Sequence, residues 1–357
     1  MTYAIMHNPR HGRVYLEAAG AMALSELSFA GRLLSAPPEG IREASIGGVP
    51  YILFEQNSAP TPEDVRVLSR LSFAYALFKL ERGPGVPTTG PLIPETCLLA
   101  PITRNPGYFI DEDISAILKY SGKTNELFTR LMLNLALAHG PGAVPSRVLD
   151  PMAGKGTTLY EALMQGADAY GVEIDPKPAY EAFLYIKKHF EMARYKHTGH
   201  TEKTGGIDPA GKKFSAIRYQ VEMARNKDEQ RQGLARQFEI IAGDTRHTSA
   251  YFKKNFFHAI VADLPYGVQH GAKKKPQGGG QSRNALELVK EAMPGWVKTL
   301  KPGGTVVLAW NLFLIDRDAM AGVFAANGLA VQEGPDFSHR LDQATHRDLM
   351  VGVLSPQ

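Results

Sequence analysis

The chain has 357 residues, more than one typical domain, and its 44% hydrophobic and 21% charged content suits a globular protein able to bury a core. No stretch approaches the roughly 20 apolar residues that cross a bilayer, and Met1 to His7 lack the basic-then-apolar pattern of a secretory signal. The single cysteine, Cys97, excludes an internal disulfide and a Cys-based zinc site and makes a reducing, cytoplasmic location the default, while a formal charge of +4 permits a polyanionic partner without demanding one.

Residues 1–90 predict a small α+β domain. A short strand (Tyr3 to Met6) precedes a helix (Val14 to Leu27) and a second strand (Val49 to Glu55). A turn at Ala59-Pro60-Thr61-Pro62 leads into a helix from Glu63 to about Glu81, with Thr61 as N-cap and Pro62 at the first helical position. Six prolines between 83 and 107 predict an extended connector, placed at 91–119 in the domain division.

From Tyr120 the pattern changes. Thr124 or Asn125 caps a helix running to His139-Gly140. Strands at 147–149, 169–174, 238–241, 259–261 and 304–309, and a last one around 349–354, then alternate with helices at 157–165, 178–190, 285–300 and 319–327. Such alternation predicts an α/β fold, a doubly wound and mostly parallel sheet with helices on both faces, over 120–357. Residues 196–237 interrupt it with nine Lys and Arg against five Asp and Glu. That insertion reads equally as a solvated surface or as a nucleic-acid contact.

The strongest local feature is Val148-Leu149-Asp150-Pro151-Met152-Ala153-Gly154-Lys155-Gly156-Thr157-Thr158. An apolar strand ends in an acid, a glycine turn follows, and a helix begins. The glycines allow close backbone approach, and the first N–H groups of the helix suit a carboxylate. A P-loop is excluded, since Leu149 stands where its first glycine belongs and Gly156 where Ser or Thr is required. The next strand ends in Glu173-Ile174-Asp175, with Glu173 19 positions after Gly154. An acid there accepts hydrogen bonds from both hydroxyls of a ribose. Asp175 reads as a helix cap. A third acid, in Gly243-Asp244-Thr245, follows another apolar strand and suits an adenine amino group.

Three acids in register at three strand ends resemble the Rossmann-like (class I) methyltransferases that use S-adenosylmethionine (SAM), over roughly 120–357. The resemblance implies Asp150 and Gly154 near the methionine part, Glu173 on the ribose and Asp244 on the adenine. It implies further cofactor contacts from Met152, Ala153, Gly156, Thr157, Thr158, Ile174 and Thr245. No metal is implied.

The fourth strand ends in Asp263-Leu264-Pro265-Tyr266-Gly267. An exocyclic amino nitrogen on a base is a poor nucleophile because its lone pair is delocalised into the ring. A carboxylate (Asp263) and a main-chain carbonyl (Leu264) accepting its two N–H groups turn it toward sp³ beside the methyl donor. An aromatic ring (Tyr266) holds the base by stacking, and Pro265 stiffens the loop. Taken alone, the segment also reads as a plain β-turn.

The motif is similar to the Asp/Asn-Pro-Pro-Tyr signature of amino-group methyltransferases, with Leu264 where Pro is usual. Asp-x-Pro-Tyr-Gly is most similar to RNA guanine-N2 methyltransferases, especially tRNA enzymes with an N-terminal THUMP domain. Gly122-Lys123-Thr124 is similar to that family's segment over the methionine end, which implies a role for Thr124. Ser121 stands where the family often has Pro. Residues 1–90 are short for a THUMP domain and imply at most a reduced RNA-binding module. Gly267 is expected to contact substrate, and the basic loop holding Lys273, Lys274, Lys275 and Arg283 reads equally as a contact to substrate phosphates or as a solvated loop. Trp310-Asn311, His339 and His346 are weaker candidates for substrate contact.

The reading is therefore a SAM-dependent enzyme acting on guanine N2 of tRNA or rRNA. DNA adenine-N6 or cytosine-N4 methylation, and a SAM-binding RNA-binding protein without transfer, are the alternatives.

Overall fold

The computed structural model describes residues 1–9, 13–83, 97–116, 125–139, 146–208, 211–265, 285–334 and 337–355. They divide into two units, Met1–Gly107 with Glu333–Gln343, and Tyr108–Gln332 with Ala344–Gln357.

The first unit holds β1 (Thr2–His7), α1 (Arg13–Ala30), β2 (Glu39–Ile46), β3 (Val49–Glu55), α2 (Pro62–Arg70), β4 (Ala74–Arg82) and β5 (Cys97–Ile102). Its antiparallel sheet has the order β2-β3-β1-β4-β5. Ala23, Leu27 and Leu68 from the helices pack with Ile5, Ile52, Phe54 and Leu77 from the sheet. Ala4, Tyr51, Leu53 and Leu80 form a second cluster.

Two expectations change here. The helix placed at Glu63–Glu81 stops at Arg70, and Ala74–Arg82 is a central strand. Its start carries a bulge, where His7 pairs with Ala74 but Met6 with Ala76. The bulge puts Ala74 and Leu77 in the same cluster, a spacing of three that imitates a helix. Thr61 caps the helix as expected, and Asp64 completes a capping box with it through backbone-to-side-chain bonds of 2.8 and 3.1 Å. The connector set at 91–119 is not one extended piece. Cys97–Ile102 pairs with β4, and Arg104 donates to the Ser69 carbonyl at 2.8 Å.

The second unit holds α3 (Asp113–Ala116), α4 (Glu126–His139), β6 (Arg147–Asp150), α5 (Thr157–Met164), β7 (Asp168–Glu173), α6 (Pro176–Met192), β8 (Lys196–Ile207), β9 (Lys213–Ala224), α7 (Lys227–Arg231) and β10 (Arg236–Ala242). It continues through α8 (Thr248–Tyr251), β11 (Phe257–Asp263), α9 (Ala285–Thr299), β12 (Leu300–Asn311), α10 (Arg317–Ala326) and β13 (Leu329–Val331). The chain then contributes β14 (His339–Arg340) to the first unit and returns as β15 (His346–Leu354).

The strand order is β13-β15-β12-β11-β6-β7-β10-β9-β8. Strands β12, β11, β6, β7 and β10 are mutually parallel, and β15 runs against β12 and β13. From β13 to β10 this is a mostly parallel α/β sheet in which β15 alone is reversed. The insertion expected at 196–237 extends the sheet as a hairpin: β9 pairs with β10 from Arg236↔Met223 to Ala242↔Ile217, and β8 lies outside it.

Helix α5, which follows the glycine turn, is anchored by a buried ion pair. Glu161 accepts from Arg130 of α4 at 3.0 Å and from Ser115 of α3 at 2.5 Å. Arg130 and Glu161 are both buried. Removing Arg130 strands a carboxylate in the core. The Arg130→Ala protein is expected to lose about 3–5 kcal/mol, read as a lower urea midpoint at unchanged slope.

Candidate functional site

The parallel strands bring their carboxyl ends to one edge, and the predicted acids lie along it. Asp150 ends β6, Glu173 ends β7, Asp263 ends β11, and Asp244 follows β10 by two residues. Register sets their stagger: Asp150 pairs with Gly171, Ala242 with Glu173, and Ile260 with Leu149.

The turn after β6 is shaped by its glycines. Gly154 and Gly156 have φ of +52° and +87°, where a side chain is strained. A Cβ at Gly154 would meet nothing within 4 Å, so backbone faces open space there. The Ala153 N–H donates to the Val172 carbonyl at 2.9 Å, and the Gly154 N–H donates to Glu173 at 2.8 Å. Glu173 also accepts from the Asp175 N–H at 2.9 Å. The loop is thus tied to the acid of the next strand. Lys155 pairs with Glu181 of α6 at 2.7 Å.

Asp150 is 4% exposed. It accepts from the Met152 N–H at 2.9 Å and from the Thr158 hydroxyl. Burial pushes its carboxyl up to about 7, and the charges of Glu173 and Asp263 add to that against the two hydrogen bonds. Glu173 is also raised by burial, against its backbone hydrogen bonds. The charges of Glu173 and Asp263 thus both reach Asp150.

The remaining candidates divide. Met152 is partly buried against the main core, Ala153, Thr157 and Thr158 are buried, and Ile174 is 58% exposed beside Glu173. Asp244 caps a short 3-10 turn and grips Arg246, whose Nε lies 3.0 Å from both oxygens. Burial raises Asp244, but the hydrogen bonds and charge of Arg246 outweigh it and lower the carboxyl. The Thr245 hydroxyl accepts from Trp296 Nε1 at 2.9 Å, which commits it to the core. Thr124, Tyr266, Gly267, Lys273, Lys274, Lys275 and Arg283 lie outside the described residues.

Leu264 shows why this chain departs from Pro-Pro. Its side chain is buried, and its N–H donates to the Ala309 carbonyl at 2.8 Å, carrying the ladder one residue past Asp263. Proline has no N–H for that bond. The Leu264→Pro protein is expected to lose about 1–3 kcal/mol, measured as a fall in thermal midpoint.

Three weaker candidates take structural roles. Trp310 is buried and donates to the Ile315 carbonyl at 2.8 Å. Asn311 is buried and holds the chain at Ala344 and His346. His339 belongs to the first unit and is buried there. Two residues that the sequence reading passed over stand at the site. Arg246 occupies Asp244, and Arg347 reaches Asp263 Oδ2 at 3.5 Å. The charged run His346-Arg347-Asp348 before an apolar strand was the one local signal for the second.

No family model matches the sequence, and no curated protein matches it significantly. Solved structures do resemble it. A TehB-like SAM-dependent methyltransferase from Corynebacterium glutamicum is 15% identical, with 60% of this chain and 82% of that one covered and a TM-score of 0.30. Magnesium protoporphyrin IX methyltransferase from Synechocystis, with bound S-adenosylhomocysteine (SAH), is 10% identical over 68% and 93%, with a TM-score of 0.38. A candidate RNA methyltransferase from Pyrococcus horikoshii is 12% identical over 69% and 100%, with a TM-score of 0.39. These likenesses carry no residue roles over to this chain. No helix among the described residues is long and apolar enough to cross a membrane.

Proposed function

We propose that the second unit is a SAM-dependent methyltransferase acting on an exocyclic amino group of a nucleic-acid base, with guanine N2 in tRNA or rRNA as its substrate. One observation carries the reading: Asp263 stands at the same sheet edge as Asp150 and Glu173, near enough for its charge to act on Asp150.

The residues suit the cofactor. The buried Asp150 carboxylate fits the methionine ammonium, and the open backbone at Gly154 with the start of α5 fits the methionine carboxylate. Glu173 accepts from the backbone N–H groups of Gly154 and Asp175, with Ile174 adding a third, and keeps acceptor capacity for a ribose hydroxyl. Asp244, both of whose oxygens already accept from the backbone and guanidinium of Arg246, has less acceptor capacity for adenine than the sequence implied. Bound SAM supplies an electrophilic methyl group on a sulfonium. Asp263 accepts one N–H of the amine, the Leu264 carbonyl accepts the other, and the nitrogen lone pair is localised for attack. Asp263 then takes the proton that the methylated amine must lose.

The test is transfer of labelled methyl from SAM to unmodified tRNA and rRNA transcripts, followed by nucleoside mass spectrometry. N2-methylguanosine supports the assignment. Label in adenine or cytosine of DNA moves it to the DNA class, and SAH binding without transfer to any nucleic acid ends it.

A further inference from the structure

The carboxylate at the heart of the proposed site has a buried cationic neighbour on the far side of the sheet's next strand. Arg347 is the second residue of β15, which pairs with β12 at Asn311↔Arg347. On the other side of β12, Asp263 pairs with Ala309. Arg347 therefore lies level with the end of β12, on the edge where Asp263 ends β11. Its side chain is 5% exposed and that of Asp263 10%. One guanidinium nitrogen lies 3.5 Å from Asp263 Oδ2, and the guanidinium carbon sits 4.2 Å from the ring centroid of Phe128 on α4. The next residue, Asp348, pairs with Arg317 of α10 at 2.5 Å, as alternation along a strand requires for opposite faces.

This placement is costly for folding. An arginine in an interior strand gives up its hydration, and a buried ion pair seldom returns more than an apolar residue would. Phe128 supplies a flat face that suits a guanidinium plane. The contact at 3.5 Å is long for a strong hydrogen bond, so it acts mainly through charge and direction. Asp150 of β6 and Glu173 of β7 end strands on the same edge, and the charges of Glu173 and Asp263 both act on Asp150. Arg347 brings a positive charge into a site that already gathers three carboxylates.

We propose that Arg347 is the positioning residue for Asp263: clamped against Phe128, its guanidinium fixes the plane of the carboxylate so that it meets the amino group of the base. The inference rests on the methyltransferase reading. Arg347 touches neither substrate nor cofactor in this role, and it acts through Asp263. Methionine keeps the packing on Phe128 without charge, and lysine keeps charge without the planar fork.

The experiment compares the full-length parent, Arg347→Met and Arg347→Lys. Methyl transfer from labelled SAM to a tRNA transcript is measured with SAH affinity by calorimetry. Arg347→Met is expected to lose about 100-fold in kcat, the order of loss for a misplaced reacting group, with KM for RNA and SAH affinity near parental values. Millimolar guanidinium is expected to restore part of that kcat, and Arg347→Lys to fall between the two. An Arg347→Met protein that keeps parental kcat overturns the inference, as does one whose loss follows SAH affinity and resists guanidinium. If the parent itself transfers no methyl, the functional reading fails first. A crystal structure of Arg347→Met then decides the positioning claim: a turned Asp263 carboxylate upholds it, and an unmoved one overturns it.

Discussion

Asp263→Ala protein is expected to transfer methyl groups about 10²- to 10⁴-fold more slowly than the parent, the range for a lost proton-accepting group. SAH affinity should hardly change, because in the proposed site Asp263 faces the amine and Asp150 and Glu173 hold the cofactor. Asp263→Asn should fall between the two. Its amide oxygen still accepts one N–H, yet an amide cannot take the proton that the product amine sheds. The asparagine protein also gives Arg347 an oxygen to face, whereas alanine leaves a buried cation beside an empty place. Circular dichroism and SAH calorimetry on both variants separate loss of chemistry from loss of fold. Transfer by the alanine protein within tenfold of the parent would remove Asp263 from the mechanism.

Cofactor affinity should depend steeply on pH, with Asp150 as the cause. Burial, with Glu173 and Asp263 adding to it, pushes Asp150 up to about 7. Pairing with the methionine ammonium requires the ionised form. Below pH 7 the free protein must therefore release a proton to bind, and affinity should fall about tenfold per pH unit. Calorimetry with SAH in two buffers of different ionisation heat reads that proton directly. Asp150→Asn should bind weakly with a flat profile. A flat profile in the parent would contradict the assignment. Stability runs the other way. The folded-state value lies above the unfolded one, so Asp150's contribution is present below about pH 4 and lost as pH rises through about 7. Binding thus restores at neutral pH what ionisation of the empty site costs.

The strand-end acids were legible because each sits in a local pattern, an apolar run followed by a turn. Asp150, Glu173 and Asp263 needed only chain order and parallel pairing to be placed together. Asn125 as a helix cap and Asp175 as the cap of α6 were readable for the same reason. What escaped depends on partners far along the chain. Ala74–Arg82 has a helix-like spacing because a bulge resets the strand's phase, and the bulge arises from pairing with β1. Cys97–Ile102, amid prolines, becomes a strand because β4 offers an open edge. Thr245 belongs to the core through Trp296, 51 positions away. Arg347 reaches Asp263 across 84 positions, a distance over which spacing holds no information.

The place of β15 bears on how this protein is made. It is the last of the described strands in chain order, yet it lies between β12 and β13, with hydrogen bonds on both sides. During synthesis every other strand of that sheet leaves the ribosome first, and a gap one strand wide stays open between β12 and β13. Arg347 arrives with the strand that fills it. A nascent chain halted shortly before residue 346 would therefore hold the glycine turn and Asp263 without the guanidinium beside it, and would expose two strand edges to any passing β-segment.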